Sequence, residues 1–389
     1  MYSDRKLSRL PLHLSIEQSQ LSKLASLPRN PIRTTQNLLI TDERILGRRC
    51  DWEPEFTKKT QKKCAKWIAP KNCTALDLLN NSCKETKEPF MSTSLPELDI
   101  ALGGGIPCSS LTEIVGPTNF GKTQFCLTLS ILATLPVCMN GLGGGTCYIS
   151  TQGAFPAERL MEIAKYRFPY IFGDENSQCQ DNLKKMTDAV HLMKAKSSKE
   201  LENFQEFIIE KNIRLLIIDS FGALIKKEFI GKKDSLDKRS RLLVKFAAWL
   251  KFLSESFNMP TVVTNQVISL NNIRDALTDL TNDQDSSIKP ALGNTWSHAV
   301  NTRLMMDYCD INPVVMLVNP DVPRNLRKIR VEKSPIGARK TLYFTIERKG
   351  VVNFDLKSVM DKMRDCNQDR DSDIKSSYSN VVTYLYEYD

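Results

Sequence analysis

From about position 90 the chain alternates short apolar runs with longer amphipathic segments of helical length. That alternation predicts an α/β domain, a sheet of largely parallel strands covered by helices. Leu111 to Val115, Thr146 to Ile149, Leu215 to Ile218, Thr261 to Thr264, Arg303 to Met306 and Thr341 to Ile346 are short, apolar and rich in branched or aromatic residues, as buried strands are. Lys122 to Leu135, Ala157 to Arg167, Leu201 to Lys211 and Arg241 to Phe257 are predicted helices.

Residues 1–89 have a different pattern: short helical pieces broken at Pro28, Pro31, Gly47 and Pro70. Leu21, Leu24, Leu27, Leu38, Leu39 and Ile45 are candidates for a small helical core there. The expected division is therefore a small helical domain and linker over 1–89, a core over 90–357 and a tail over 358–389. The polar stretch Arg364 to Ser379 is expected to be disordered.

Composition narrows the function classes. With 41% hydrophobic and 25% charged residues the chain has the mixture of a water-soluble globular protein. No window reaches the roughly 18 apolar residues that a membrane span needs, so no membrane partner is expected. Eleven cysteines without a Cys-x-x-Cys pair, beside three histidines, suggest reduced thiols rather than a zinc site or a disulfide framework. Residues 1–89 hold 17 of the Lys and Arg against 10 Asp and Glu, which places +7 of the net +9 there. Such a segment suits an anionic partner, with a solvated helical face as the plain alternative.

The candidate chemistry begins at Gly116-Pro117-Thr118-Asn119-Phe120-Gly121-Lys122-Thr123, a full match to G-x4-G-K-[ST] between a predicted strand and a predicted helix. Glycine lets the backbone curl until its N–H groups face phosphate oxygens, and the helix N-terminus adds a positive dipole. Lys122 is expected to reach the β and γ phosphates, and the Thr123 hydroxyl to ligate Mg²⁺. Leu215-Leu216-Ile217-Ile218-Asp219 is four apolar residues ending in a carboxylate, the form of a Walker B strand, which makes Asp219 the second metal residue. ATP with Mg²⁺ is the expected cofactor.

Over residues 90 to 355 these motifs resemble the RecA family, and within it the eukaryotic strand-exchange recombinases and their paralogues. The segments Gly116 to Cys126, Ser130 to Pro136, Phe155-Pro156-Ala157-Glu158-Arg159-Leu160, Thr264-Asn265-Gln266 and Ala291 to His298 carry the likeness, most of all to the B-type paralogue branch. The resemblance implies a RecA-like P-loop NTPase core and, in front of it, a domain of helix-hairpin-helix type. It implies that Gln266 senses the γ-phosphate and opens a second DNA-facing loop, Val267 to Pro290. Loop one corresponds to Lys226 to Arg239, where Lys226, Lys227, Lys232, Lys233, Lys238 and Arg239 would meet backbone phosphates. It further implies nucleotide contacts by Arg159 and by Pro335 of Lys333-Ser334-Pro335, the latter toward a neighbouring subunit's adenine, and an interface role for His298.

One departure bears on catalysis. The family carries Asp-Thr-Glu where this chain has Ser150-Thr151-Gln152, and Gln152 holds a water without being a carboxylate base. Two readings stay open: slow hydrolysis with intact ATP binding, or a glutamine that suffices because positioning dominates phosphoryl transfer. A second departure is an insertion around Asn312 to Arg330, containing Pro313, Pro320 and Pro323, between two late strands.

The function implied is a DNA-stimulated ATPase paralogue in homologous recombination repair, acting in the nucleus on single-stranded and branched DNA. Its partners would be the C- and D-type paralogues and the recombinase itself. The alternative is a non-hydrolysing scaffold that uses ATP as a structural ligand at a subunit interface. A P-loop small-molecule kinase fits less well, because long basic and polar loops follow Asp219 and Gln266.

Overall fold

A computed structural model describes residues 24, 26, 32, 35–69, 74–77, 90–174, 176–201, 205–229, 236–269, 288–309, 322–356 and 358–359. The chain divides into two compact units, Met1–Thr86 and Lys87–Asp389. Leu21, Leu27, Pro28, Pro31, Pro70, Lys232, Lys233, Pro313, Pro320 and the tail Arg364 to Ser379 lie outside the described residues.

The first unit holds α1 (Thr35–Ile40), α2 (Glu43–Cys50) and α3 (Pro54–Ile68). Asp42 opens α2 by accepting from the backbone N–H of Arg44 at 2.8 Å, satisfying a donor that has no partner within the helix. Pro54 starts α3, where a missing N–H costs nothing. Leu24, Leu38, Leu46, Cys50, Trp52 and Cys64 form the core. Two expectations change. Ile45 is 47% exposed, because Leu46 and Cys50, four positions apart on α2, take the inward face. Gly47 lies inside α2 rather than breaking it; a Cβ there would stand 3.0 Å from the carbonyl oxygen of Trp52, so glycine permits the close return of the chain.

The second unit is built on a nine-stranded sheet in the order β13-β12-β11-β10-β3-β7-β6-β4-β5. Six strands are parallel: β3 (Leu111–Val115), β4 (Gly145–Ser150), β5 (Val190–Lys194), β6 (Ile213–Asp219), β7 (Thr261–Asn265) and β10 (Thr302–Tyr308). The antiparallel strands β11 (Arg327–Lys333), β12 (Thr341–Glu347) and β13 (Gly350–Phe354) extend it beyond β10. Two small antiparallel pairs stand apart: β1 (Phe90–Met91) with β2 (Ile106–Pro107), and β8 (Val267–Ser269) with β9 (Ile288–Pro290).

Strand alternation divides the apolar side chains between two layers. In β6, Leu215 and Ile217 join Phe125, Leu129 and Leu160 on one face, whereas Leu216 and Ile218 join Phe221, Phe246 and Leu250 on the other. The first face is covered by α4 (Pro96–Ala101), α5 (Lys122–Thr134), α6 (Ala157–Arg167), α7 (Pro169–Phe172) and α8 (Ser177–Ala189), the second by α10 (Phe221–Phe229), α11 (Leu236–Phe257) and α12 (Gly293–Ala299). Each fully buried side chain of this size contributes about 1.5–3 kcal/mol. The α/β architecture expected from the apolar runs is present.

The limits of β3 and α6 match the sequence pattern, and most other elements differ by a residue or two at each end. Four differences are larger. Lys226 and Lys227 are on α10 rather than in a loop, because Phe221, Leu224 and Ile225 give that segment an inward helical face. Lys238 and Arg239 lie in the first turns of α11, which starts five positions before Arg241. Arg327 to Arg330, the end of the insertion expected from comparison with the resembled family, belong to β11. The predicted helix Leu201 to Lys211 is divided between a 3-10 turn, Ser198–Leu201, and α9 (Gln205–Glu210).

Two arginines of α6, about two turns apart, hold the last hairpin. Arg159 Nη2 donates to the carbonyl of Glu347 at 2.5 Å and Arg167 Nη1 to those of Lys349 at 2.8 Å and Val351 at 2.9 Å. Arg167 also donates to Ser94.

Candidate nucleotide site

Lys122, Asp219, Gln152 and Gln266 converge because each follows or ends a parallel strand at its carboxyl end: β3, β6, β4 and β7, which are consecutive in the sheet as β3-β7-β6-β4. Open α/β sheets bind ligands at this edge. The cleft there has a volume of about 320 Å³ and is lined by Thr118, Asn119, Gly121, Lys122, Thr123, Gln124, Gln152, Asp219, Ser220, Gln266 and Ile346.

The loop into it is shaped by two glycines. A Cβ on Gly116 would stand 2.6 Å from the Met306 carbonyl oxygen, and Gly121 has φ +98°, where a Cβ would stand 2.7 Å from Ile346 Cδ1. Gly121 is the N-cap of α5, so the first amides of that helix open toward the cleft. Phe120 turns away from the cleft lining and packs edge-on to Tyr308, with ring centroids 4.1 Å apart. Lys122 is 9% exposed, and its ammonium donates to the carbonyls of Gly116 at 2.7 Å and Pro117 at 2.5 Å. Burial lowers its pKa, with the Asp219 carboxylate acting in the opposite sense.

Asp219 is a hub of hydrogen bonds in the cleft. Its Oδ2 accepts from the hydroxyls of Thr123 at 2.8 Å and Tyr148 at 2.6 Å, and its Oδ1 from Thr264 at 2.6 Å. Thr151 and Ser220 exchange hydrogen bonds of 2.8 and 3.0 Å, which tie the chain carrying Gln152 to the end of β6. Gln152 is exposed at the mouth of the cleft. The site fits a magnesium nucleotide in its chemistry: a glycine cradle, a buried cation for phosphate oxygens, and a hydroxyl beside a carboxylate for a hard divalent ion. Among the described residues no group of three or more His, Cys, Asp or Glu side chains gathers as a protein-only metal site.

The pattern of the whole core points to one family. The Rad51 family model matches residues 89–353. The chain is 38% identical over 305 residues to "DNA repair protein RAD51 homolog 2" of Mus musculus, covering 74% of this chain and 82% of that protein. It is 39% identical over 301 residues to the protein of the same name in Homo sapiens, covering 73% and 74%. The chain belongs to the Rad51 family. Similarity extends to "DNA repair protein XRCC3 homolog" of Arabidopsis thaliana, 30% over 285 residues, covering 67% of this chain and 92% of that one.

Other Rad51-family positions singled out in the sequence stand away from the cleft lining. Arg159 holds Gln124, a lining residue, through Nε at 2.9 Å, and spends its other donors on Glu162 and on the carbonyls of Glu347 and Arg348. His298 and Pro335 are exposed. Lys333 turns back to α12, donating to the carbonyls of Ser297 at 2.9 Å and Val300 at 2.6 Å, so it caps the helix that carries His298. Lys226, Lys227 and Lys238 are exposed, whereas Arg239 is half-buried and donates to the carbonyl of Ala291 at 2.8 Å, beside the β8–β9 stem. That stem begins one residue after Gln266.

A buried network behind the cleft was absent from the motif reading. Glu113 of β3 is wholly buried and accepts from Asn265 Nδ2 at 2.7 Å, Trp296 Nε1 at 2.9 Å and Arg303 Nε at 2.7 Å. Asn265 Oδ1 in turn accepts from the Gln266 N–H at 2.8 Å. One carboxylate thus holds the strand before the P-loop, the root of Gln266 and the helix of His298. Only Glu113 inside the apolar run Leu111 to Val115 hinted at it.

Proposed function

We propose that this Rad51-family chain binds Mg²⁺ and ATP and serves in homologous recombination repair as a subunit of a paralogue assembly. The observation that carries the reading is the meeting of Lys122, Thr123 and Asp219 at the carboxyl ends of β3 and β6, with Thr123 and Asp219 in direct contact. Lys122 would hold phosphate oxygens, and Thr123 and Asp219 the metal, which when bound neutralises charge that develops on the phosphates. Gln266 would sit against the nucleotide's far end, and Gln152 would orient water at the mouth.

The DNA side of the proposal rests on the exposed Lys226, Lys227 and Lys238 and on the polar segment that begins after β8. Single-stranded and branched DNA are the proposed substrates, other paralogues and the recombinase the proposed partners, and the nucleus the proposed compartment. Relatives named "DNA repair protein" support that setting. Among the described residues no helix is long and apolar enough to cross a membrane.

A second reading is favoured by one specific residue. Gln152 stands where a carboxylate base would stand, so ATP would serve as a structural ligand with little turnover. The test is calorimetric titration of the purified chain with ATP, with and without Mg²⁺, beside turnover measured with and without single-stranded DNA and partners. Lys122→Ala is expected to weaken binding roughly ten- to hundredfold, the equivalent of a charged hydrogen bond. Magnesium-dependent binding with turnover supports the first reading, and binding without turnover the second. Absence of binding removes both.

A further inference from the structure

Asp219 is reached by more donors than the P-loop pattern requires. An ionised carboxylate offers about four lone-pair positions. Thr264 occupies one on Oδ1, and Thr123 and Tyr148 occupy two on Oδ2, at 2.6, 2.8 and 2.6 Å. Thr123 is the donor that the nucleotide reading assigns to the metal. Tyr148 and Thr264 therefore remain as the pair that holds the carboxylate whichever way Thr123 turns.

The setting of Tyr148 argues against a merely space-filling ring. Its side chain is 2% exposed within the apolar cluster on the α5 face, where phenylalanine would fill the same volume without a polar atom. Burying an unpaired hydroxyl is costly, and Asp219 is the partner that makes this one tolerable. Phe155 packs edge-on against the ring at 4.8 Å, and β4 lies beside β6 with Tyr148 in register with Ile217, two residues before Asp219. The same strand leads, four residues later, to Gln152.

We infer that Tyr148, with Thr264, is a positioning residue of the metal site: its hydroxyl holds the Asp219 carboxylate in the orientation that would meet a divalent cation bound with the nucleotide. This rests on the magnesium-nucleotide reading and adds to it a dependence that can be measured apart from catalysis. Loss of the hydroxyl leaves Thr264 as the one remaining holder of the pair, so the carboxylate is less firmly oriented and the penalty falls on the cation. The phosphate cradle, made by backbone amides and Lys122, is left as it was.

The experiment is titration of the full chain with a fluorescent ATP analogue across a series of Mg²⁺ concentrations, repeated in EDTA. Tyr148→Phe is expected to raise the half-saturating Mg²⁺ concentration three- to tenfold, while affinity in EDTA stays within twofold of the parent. Thr264→Val, on the other oxygen, is expected to shift the midpoint in the same direction, and it carries the test if Tyr148→Phe fails to fold. An unchanged Mg²⁺ midpoint overturns the inference, as does an equal loss of affinity with and without the cation, which would mark the tyrosine as purely structural. A parent chain with no Mg²⁺-dependent binding overturns the nucleotide reading itself, a result distinguishable from either.

Discussion

The Thr123 hydroxyl donates to Oδ2 of Asp219 across 2.8 Å, although 96 positions separate the two in the chain. The contact arises because β3, which leads into the P-loop, and β6, which ends in Asp219, flank β7 in the parallel part of the sheet and finish at the same edge. Sheet order, rather than local sequence, makes the pair.

Replacing Gln152 by Glu puts a carboxylate base where the family has one. The exchange keeps the shape and leaves the Thr151–Ser220 hydrogen bonds in place. Turnover is expected to rise roughly 10²-fold or more, the scale of positioned base catalysis, with nucleotide affinity changed by less than a few-fold. A steady-state phosphate-release assay checks this; equal rates in the two proteins would show that glutamine already suffices.

Glu113→Ala leaves the Arg303 guanidinium in a site where its side chain is 8% exposed, without its closest carboxylate. A loss of about 3–5 kcal/mol is expected for such a buried pair, against about 1–3 kcal/mol for Trp296→Phe, which removes one donor and leaves a smaller aromatic ring in place. Urea unfolding monitored by circular dichroism ranks the two. The network explanation is lost if Glu113→Ala costs less than Trp296→Phe.

Burial pushes the Cys147 thiol up to about 12 from an ordinary value of 9.0. The folded state rejects the thiolate, so this group's contribution to stability is complete below pH 9.0 and disappears as pH rises toward 12. Iodoacetamide at pH 8 is expected to label the exposed Cys138 and to spare Cys147 until urea is added. Peptide mass spectrometry gives the result, and early labelling of Cys147 would contradict it.

Lys226 and Lys227 stand exposed at the end of α10. If both touch phosphates, replacing both by Ala lowers the steepness of log affinity against log salt by about 1.4 for single-stranded DNA, roughly 0.7 for each contact. Fluorescence anisotropy at several salt concentrations provides the slopes, and parallel lines for the two proteins would remove these lysines from the DNA surface.

The glycine-loop end of the candidate site was legible because its pattern is local: a curled glycine loop, a lysine and a threonine are neighbours in sequence. Asp219 was legible as the polar end of an apolar run. The Glu113 network was not, since its partners lie 152, 183 and 190 positions away and a single glutamate in Leu111 to Val115 is mute without them. β5 escaped because an edge strand keeps polar residues, here His191 and Lys194, and β11 because Arg327-Lys328-Ile329-Arg330 looks like a solvated loop until Ile329 and Val331 are seen facing the core. On α10 the loop that the resemblance implies from Lys226 onward gives way to the apolar spacing of Phe221, Leu224 and Ile225, which carries the helix through both lysines.

The grip of Arg159 and Arg167 on the carbonyls of Glu347, Arg348, Lys349 and Val351 has a dynamic outcome. An outermost hairpin ordinarily frays by itself, but this one cannot peel off without stripping two guanidinium groups from α6. Backbone amides of β12, β13 and α6 should thus trade hydrogen for deuterium at one shared pace, as a single cooperative block within the molecule.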